Sequence, residues 1–341
     1  MDETLIKQST IVPKHISPRV LYDIIDIAAG TNHVIALSRT GKIITWGSGE
    51  QYQLGRRCSP RDHTLALRPT NVTFLTRAAD QKFLHEVKSA SSSGSTPIGT
   101  PRGSPTKRAA SMLPDVSPSQ AMDLPSTGPF LGVFAGGYHS FVLSRNYQLW
   151  ACGLNNYGQT GAGSNEQVQE VFRIGTLSLP ITASMSGPAA SMAQPDHVTH
   201  VCAGEHHSLA TTAHGRVFVF GRSDSNQLGL PPMASRPVSA NKVDSLTEAF
   251  AETSIGAYKS VPIEHPTLHN IQQCGAAGQW SAAIDRTGQL FTWGYGDNGQ
   301  LATGECHDET TPVPIALKNR KVLALGCGGQ HMVLLLTKKE E

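Results

Sequence analysis

The sequence predicts an all-β protein, a β-propeller built from small repeated sheets. A unit recurs along the chain with fixed internal spacing, and its apolar runs are rich in β-branched and aromatic residues bounded by Gly, Asn or Asp. The 341 residues include 33 Gly and 21 Pro, a composition that interrupts helices. Repeated units that each form a small sheet pack radially as propeller blades.

The repeat occurs four times in full and once in part. The full copies begin AAGTNHVIAL, FAGGYHSFVL, CAGEHHSLAT and AAGQWSAAI, and the partial copy begins CGGQHMVLLL. Seventeen residues after the first Gly position, each full copy has another Gly: Gly47, Gly153, Gly221 and Gly294. A small residue follows eight positions later in each copy: Gly55, Gly161, Gly229 and Ala302. Because these offsets hold through four copies, about four to five blades are predicted.

Within each unit the pattern predicts a hairpin followed by a return strand. Three units have a tight turn at the same place, Thr40-Gly41, His214-Gly215 and Thr287-Gly288. Gly fits such turns because it adopts positive φ without steric cost. Each unit should therefore form one antiparallel blade.

The blades are expected to occupy residues 20–337. Residues 1–19 form an N-terminal segment and 338–341 a short tail. The distances between units leave two further stretches, 164–197 and 231–268, that are predicted to be loops.

The longest interruption is predicted at 86–129. Of the 40 residues from 89 to 128, 24 are Ser, Thr, Pro or Gly. Such a segment buries too little apolar surface to offset its ordering entropy, so we expect it to be disordered. Ser104, in SPTK, and Ser111, after RAA, resemble kinase sites and are candidate phosphorylation sites, although a solvated loop with chance matches is the simpler alternative.

Composition and motifs limit the class of function. With 28 Lys and Arg against 26 Asp and Glu, the net charge of +2 is too small to predict a nucleic-acid or membrane binder. No apolar stretch has the length of a membrane helix. The sequence has no P-loop, nucleophile elbow or zinc-protease motif. We therefore expect a protein that acts by binding, with no covalent catalysis, cofactor, small-molecule substrate or membrane partner.

The repeated histidines do not predict a metal site. His33, His139, His207 and His331 occupy the same place in separate units, so they would not converge on one ion. A structural role is expected, in which each imidazole hydrogen-bonds to backbone within its own blade.

The pattern AGxxHSxAL, GxVFxWG and xxxQLG resembles the regulator of chromosome condensation repeat family. GEQYQLGR at 49–56, LNNY at 154–157 and GGQHMVLLL at 328–336 carry the resemblance most specifically. It covers about 20–337 without the insertions. It corresponds to the C-terminal part of the family, whose propellers have seven blades.

The resemblance implies that the ring is incomplete in this chain. In the family an N-terminal strand segment completes the last blade, and residues 1–19 contain no such segment. We favour a fragment or an incomplete gene model over a ring that closes differently or by association.

By resemblance, the chain is expected to act as a guanine-nucleotide exchange factor for a Ran-type small GTPase. Members of the family bind the GTPase through loops on one propeller face and destabilise the bound nucleotide. Histones or chromatin are further expected partners, and the nucleus is the expected location, with the cytoplasm as a second one. The alternative is a propeller scaffold that binds proteins or chromatin without exchange.

The resemblance also assigns candidate GTPase-binding residues. They are Asn32, Arg56, Asn156, Tyr157 and His206. Arg56 and His206 match family residues that contact the GTPase or support turnover. Asn32 stands where the family has an acidic residue, and Gly158 replaces a family His. The alternatives are a solvated charge for Arg56 and a plain turn residue for Asn32.

Overall fold

The computed structural model describes residues 23–56, 69–72, 130–166, 168–173, 177, 196–231 and 258–338. The 1–19 segment, the 86–129 insertion and the candidate phosphorylation sites Ser104 and Ser111 lie outside these residues. Every element of the described ranges is an antiparallel β-strand. None of them contains a helix able to cross a membrane.

The strands form four four-stranded sheets and one two-stranded sheet, which are blades 1 to 5 in chain order. Blade 1 contains β1 (Ile24–Ala29), β2 (His33–Ser38), β3 (Ile43–Gly47) and β4 (Thr70–Asn71). Blade 2 contains β5 (Phe130–Ala135), β6 (His139–Ser144), β7 (Leu149–Gly153) and β8 (Val168–Arg173). Blade 3 contains β9 (Val198–Ala203), β10 (His207–Thr212), β11 (Val217–Arg222) and β12 (Tyr258–Glu264). Blade 4 contains β13 (Ile271–Ala277), β14 (Trp280–Asp285), β15 (Leu290–Gly294) and β16 (Glu309–Ile315), and blade 5 contains β17 (Val322–Gly328) and β18 (His331–Leu336).

The fold class and the number of blades are confirmed, whereas two predicted loops contain strands. β8 lies within 164–197 and β12 within 231–268, so the loop prediction was wrong at these strands. Each is the outermost strand of its blade and pairs on one side only. An edge strand needs little alternation of apolar and polar residues. The strands were therefore missed, because the Gly, Ser and Pro residues beside them are typical of loops.

The blades pack radially, with β1, β5, β9, β13 and β17 innermost around a groove of about 730 Å³. The apolar core lies between neighbouring blades. Ile35 and Leu37 of blade 1, for example, belong to one buried cluster with Val133 and Trp150 of blade 2. Burial of such aliphatic and aromatic side chains is the main force that holds the blades together.

The antiparallel order gives the propeller two faces. The turns after each innermost strand and the loops after β3, β7, β11 and β15 lie on one face, here called the near face. The turns between the two middle strands lie on the far face. On the near face, backbone hydrogen bonds connect successive turns, from Thr31 N to Gly137 O (3.2 Å), Gly137 N to Gly204 O (2.8 Å) and Glu205 N to Gly278 O (3.0 Å).

The repeated histidines bond across blades. His33 Nε2 lies 2.8 Å from Ser140 Oγ of blade 2, and this hydroxyl donates to the carbonyl oxygen of Gln53, also at 2.8 Å. Because the serine proton is used for the carbonyl, Nε2 of the imidazole is the donor to the serine. The expectation of bonds to backbone within one blade was therefore wrong. We call this arrangement the His–Ser relay.

The relay is repeated twice and then replaced. His139 contacts Ser208, and His207 contacts Ser281, each at 2.8 Å, and the serines donate to Gln159 O and Gln227 O. In blade 4, Trp280 stands in place of the histidine and donates through Nε1 to the carbonyls of Gly328 and Gly329. Met332 then occupies the serine position of blade 5. In blade 4, therefore, an indole replaces the imidazole as the donor, and backbone carbonyls replace the serine hydroxyl as the acceptor.

Each innermost strand also contains an irregularity at one repeated position. The pairing register shifts around Ile25, Leu131, Thr199, Gln272 and Leu323, each of which is exposed. Each stands five residues before the first Gly position of its unit. An extra residue in one strand bends that strand and increases its twist, so the five blades begin with the same bend.

Candidate functional site

Aromatic side chains from two blades meet on the near face. His206, in the turn between β9 and β10, stacks on Tyr138 of the equivalent turn in blade 2, with ring centroids 5.8 Å apart and planes 22° apart. Tyr157, in the loop after β7, lies 5.3 Å from the His206 ring at a tilt of 55°. Together with Arg222 and Asp224, described below, these residues are called the face cluster.

The loop that carries Tyr157 is fixed by its backbone. Gly158 has φ of 73°, and a Cβ there would lie 2.2 Å from the Cα of Ser260, so no side chain fits. Tyr157 N donates to Gln159 Oε1 at 3.0 Å, and Gln159 Nε2 donates to Asn156 Oδ1 at 3.3 Å. Gly158 stands where the family has a His, and the close contact of this loop with β12 of blade 3 requires glycine at that position.

His206 is shielded from water and remains largely neutral. Its side chain is 17% exposed, and its Nδ1 is buried without a hydrogen-bond partner among the described residues. Burial lowers the pKa of His206, and the positive charge of Arg222 lowers it further, against the carboxylates of Glu205 and Asp224. Near neutral pH, His206 therefore contributes an aromatic ring to the near face and little positive charge.

Arg222 connects the parts of the face cluster. Its guanidinium carbon lies 5.0 Å from the centre of the Tyr157 ring, and Nη2 donates to Asp224 Oδ2 at 2.6 Å. Its backbone N donates to the carbonyl oxygen of His206 at 2.9 Å. The hydrogen bond with Asp224 raises the pKa of Arg222 above its ordinary value, so the cation on the tyrosine ring is permanent.

The structure brings three of the five sequence-predicted site residues together. Asn156, Tyr157 and His206 lie on the near face of blades 2 and 3. Asn32 and Arg56 belong to blade 1: Asn32 is exposed in the turn between β1 and β2, and Arg56 donates to Thr45 Oγ1 at 3.3 Å and Thr45 O at 3.4 Å.

Tyr138 and Arg222 belong to the face cluster but are not among the sequence-predicted site residues. Tyr138 precedes a relay histidine, as His206 does in the next unit, and that repeated position was a usable signal. Arg222 follows the spaced Gly221, but its orientation depends on a ring from another blade. No signal within its own unit indicates that contact.

The described part of the near face carries an excess of negative charge. Its described loops contain the acids Glu50, Glu166, Glu205, Asp224, Asp297, Glu305, Asp308 and Glu309, against Arg56, Arg222 and Lys259. No group of three or more His, Cys, Asp or Glu within the described ranges is arranged to hold a metal ion. The face therefore complements a partner with a basic surface.

The chain is similar in sequence to proteins of known family. The family model described as RCC1-like domain matches residues 3–334. Protein pim1 of Schizosaccharomyces pombe is 27% identical over 322 residues, which are 92% of this chain and 46% of pim1. Guanine nucleotide exchange factor SRM1 of Saccharomyces cerevisiae is 25% identical over 323 residues, which are 92% of this chain and 50% of SRM1. The chain spans about half the length of these relatives.

The fold is similar to that of Prp20p from Saccharomyces cerevisiae, whose crystal structure was described with its binding properties to Gsp1p and histones. The TM-score is 0.63 at 21% identity, covering 94% of this chain and 57% of Prp20p. The family model covers nearly the whole sequence. The chain therefore belongs to the RCC1-like domain family.

Proposed function

We propose that the protein, through its near face, promotes guanine-nucleotide exchange on a Ran-type small GTPase in the nucleus. The observation that carries the proposal is the face cluster, in which Tyr157 and His206 from two blades lie 5.3 Å apart within an acidic face. Relatives of this family include a guanine nucleotide exchange factor. Exchange requires only tighter binding to the nucleotide-free GTPase than to the loaded form, without covalent chemistry.

The charge and shape of the near face support this mechanism. Aromatic side chains and Arg are the residue types that most often dominate the energy of protein interfaces. Here they lie at the junction of two blades that the relay from His139 to Ser208 holds together. Such a face can keep one arrangement while the partner's nucleotide-binding loops change theirs.

His206→Ala is expected to lower kcat/KM for GDP release from purified Ran by about tenfold or more, as for a central interface residue. Arg56→Ala should lower it less, because its guanidinium lies against Thr45 in blade 1. Release of fluorescent GDP measures both effects. As the control, His214→Ala removes a half-exposed His on the far face and should leave exchange unchanged.

The outcome separates exchange from simple binding. If the wild-type chain binds Ran without accelerating release, the proposed exchange activity is wrong and the scaffold function is favoured. If His206→Ala releases GDP as fast as the wild type, the assignment of His206 is wrong.

A second candidate function is binding to chromatin through the DNA backbone, favoured by the charge of the far face. The far-face turns carry the basic side chains Arg39, Lys42, Arg145, Arg286, Lys318, Arg320 and Lys321. The described acids at this end are Asp23, Asp285, Glu264 and the buried Asp196. Basic side chains along one face attract phosphates and release counterions from DNA.

The double variant Lys42→Glu, Lys318→Glu is expected to weaken binding to a labelled DNA duplex at low salt by about tenfold, because each substitution replaces attraction by repulsion. Fluorescence anisotropy at two salt concentrations measures the affinity and its salt dependence. Glu305→Gln on the near face is the control. Equal DNA affinity of the double variant and the wild type would eliminate this candidate.

A further inference from the structure

We propose that Arg222 is a positioning residue that holds Tyr157 of blade 2 and His206 of blade 3 in the arrangement that receives the partner. The proposal rests on the proposed function, since it concerns the same face. Arg222 contacts His206 through its backbone, and it contacts Tyr157 and Asp224 through its side chain.

The three contacts of Arg222 act in different directions. The backbone N–H to His206 O (2.9 Å) fixes where the turn between β9 and β10 lies over the end of β11. The guanidinium, 5.0 Å from the Tyr157 ring centre, covers one side of a ring from the neighbouring blade. Asp224, which accepts from Nη2 at 2.6 Å, prevents the guanidinium from turning into solvent. The residue therefore couples two loops that are separate in sequence.

The contacts of Arg222 affect the orientation of the Tyr157 ring more than they affect the Tyr157 backbone. The backbone is held by Gln159 Oε1 and by the close approach of Gly158 to Ser260. The ring meets His206 at 5.3 Å and Tyr258 at 6.5 Å, both with strongly inclined planes. Removing the guanidinium frees one side of the ring while the loop remains folded. We therefore expect a change in function with little change in stability.

Arg222 also changes the charge state of His206. The charged and titratable groups around this imidazole are Glu205, Arg222 and Asp224, the buried imidazoles of His139 and His207, and the phenols of Tyr138 and Tyr157. The Arg222 charge opposes protonation, and the two carboxylates favour it. Without the guanidinium, the pKa of His206 should rise, so more of the imidazole is protonated near neutral pH.

Arg216 provides a matched control on the far face. Its guanidinium carbon lies 5.3 Å from the centre of the Phe218 ring, and it is paired with the carboxylate of Glu264. Arg216 thus has the same chemistry as Arg222, an aromatic ring and a carboxylate partner, in the same blade. It differs from Arg222 in its distance from the face cluster and in having a second carboxylate partner, the buried Asp196, whose Oδ2 lies 3.7 Å from Nη1.

The experiment compares Arg222→Ala, Arg222→Lys and Arg216→Ala in the full chain. Arg222→Ala should lower kcat/KM for GDP release about tenfold, mainly through a higher KM, because a misplaced ring weakens encounter with the partner. Arg222→Lys should recover little, since an ammonium lacks the planar group that stacks on the ring. Arg216→Ala should exchange like the wild type. Both Arg222 variants should melt close to the wild type, whereas Arg216→Ala should melt lower because it also removes the cation beside the buried Asp196 carboxylate.

An NMR readout keeps the inference separate from the exchange activity. In Arg222→Ala, the cross-peaks between the Tyr157 and His206 rings should be lost and the pKa of His206 should rise, whereas Arg216→Ala should show neither change. Retained cross-peaks in Arg222→Ala overturn the positioning role, whatever the GTPase assay gives. If the wild-type chain neither binds nor activates Ran, the proposed function fails, while lost cross-peaks still support the role of Arg222 in shaping the face.

Discussion

Lowering the pH from 7 to 5 should decrease the free energy of unfolding by about 5 kcal/mol through the three relay histidines alone. Burial lowers the pKa of His33 to about 4 and that of His207 to about 3, and it lowers the pKa of His139 well below its ordinary value. The unfolded chain therefore binds more protons than the folded one below pH 6.5. The stabilisation is complete above that pH and decreases as the pH falls towards the folded values.

The measurement is urea unfolding at several pH values. Three protons taken up together give a slope of about 4 kcal/mol per pH unit between roughly pH 5.5 and 4.5. An uptake of fewer than about two protons would mean that the relay imidazoles are not held neutral.

Gly204→Ala should destabilise the protein by about 3 kcal/mol, the cost of forcing an extra atom into a packed interior. A Cβ at this position would lie 2.2 Å from His207 Cε1 and 2.6 Å from Nδ1. The imidazole cannot retreat, because its Nε2 is bonded to Ser281. Blade 4 supports this reasoning, since Ala277 occupies the glycine position there and Trp280 the histidine position.

Gly326→Ala is the control, because Gly326 lies on the innermost strand β17 and a Cβ there meets nothing within 4 Å. Its effect should remain within about 0.5 kcal/mol. Thermal unfolding of both variants distinguishes the contact with histidine from the general effect of adding a side chain. Equal melting temperatures would show that the space above the imidazole does not limit residue 204.

The fold could be predicted because the repeat spacing is a local property of the sequence. Gly47 and its counterparts mark the end of the third strand in every full unit, and their φ values between about 100° and 115° explain why Gly recurs. The relay could not be predicted in the same way. The acceptor of His33 is Ser140, 107 residues away, and the acceptor of that serine is a backbone carbonyl, which has no sequence signature.

Residues of the candidate site that lie in repeat motifs could be selected from the sequence, whereas a residue whose role depends on contacts between blades could not. Tyr157 and His206 were selected from resemblance, and the structure places them side by side. Arg222 is next to a predicted Gly, but its role depends on a tyrosine 65 positions earlier in the chain, in another blade. Interactions between units cannot be derived from a pattern that is read within each unit.

The bend at the start of every innermost strand shows which part of the unit tolerates substitution. The extra residues are Ile25, Leu131, Thr199, Gln272 and Leu323, and all five are exposed. They share no side-chain chemistry, so the bend is a property of the backbone path and not of one residue type. Substitutions at these five positions should therefore leave the twist of the blades intact.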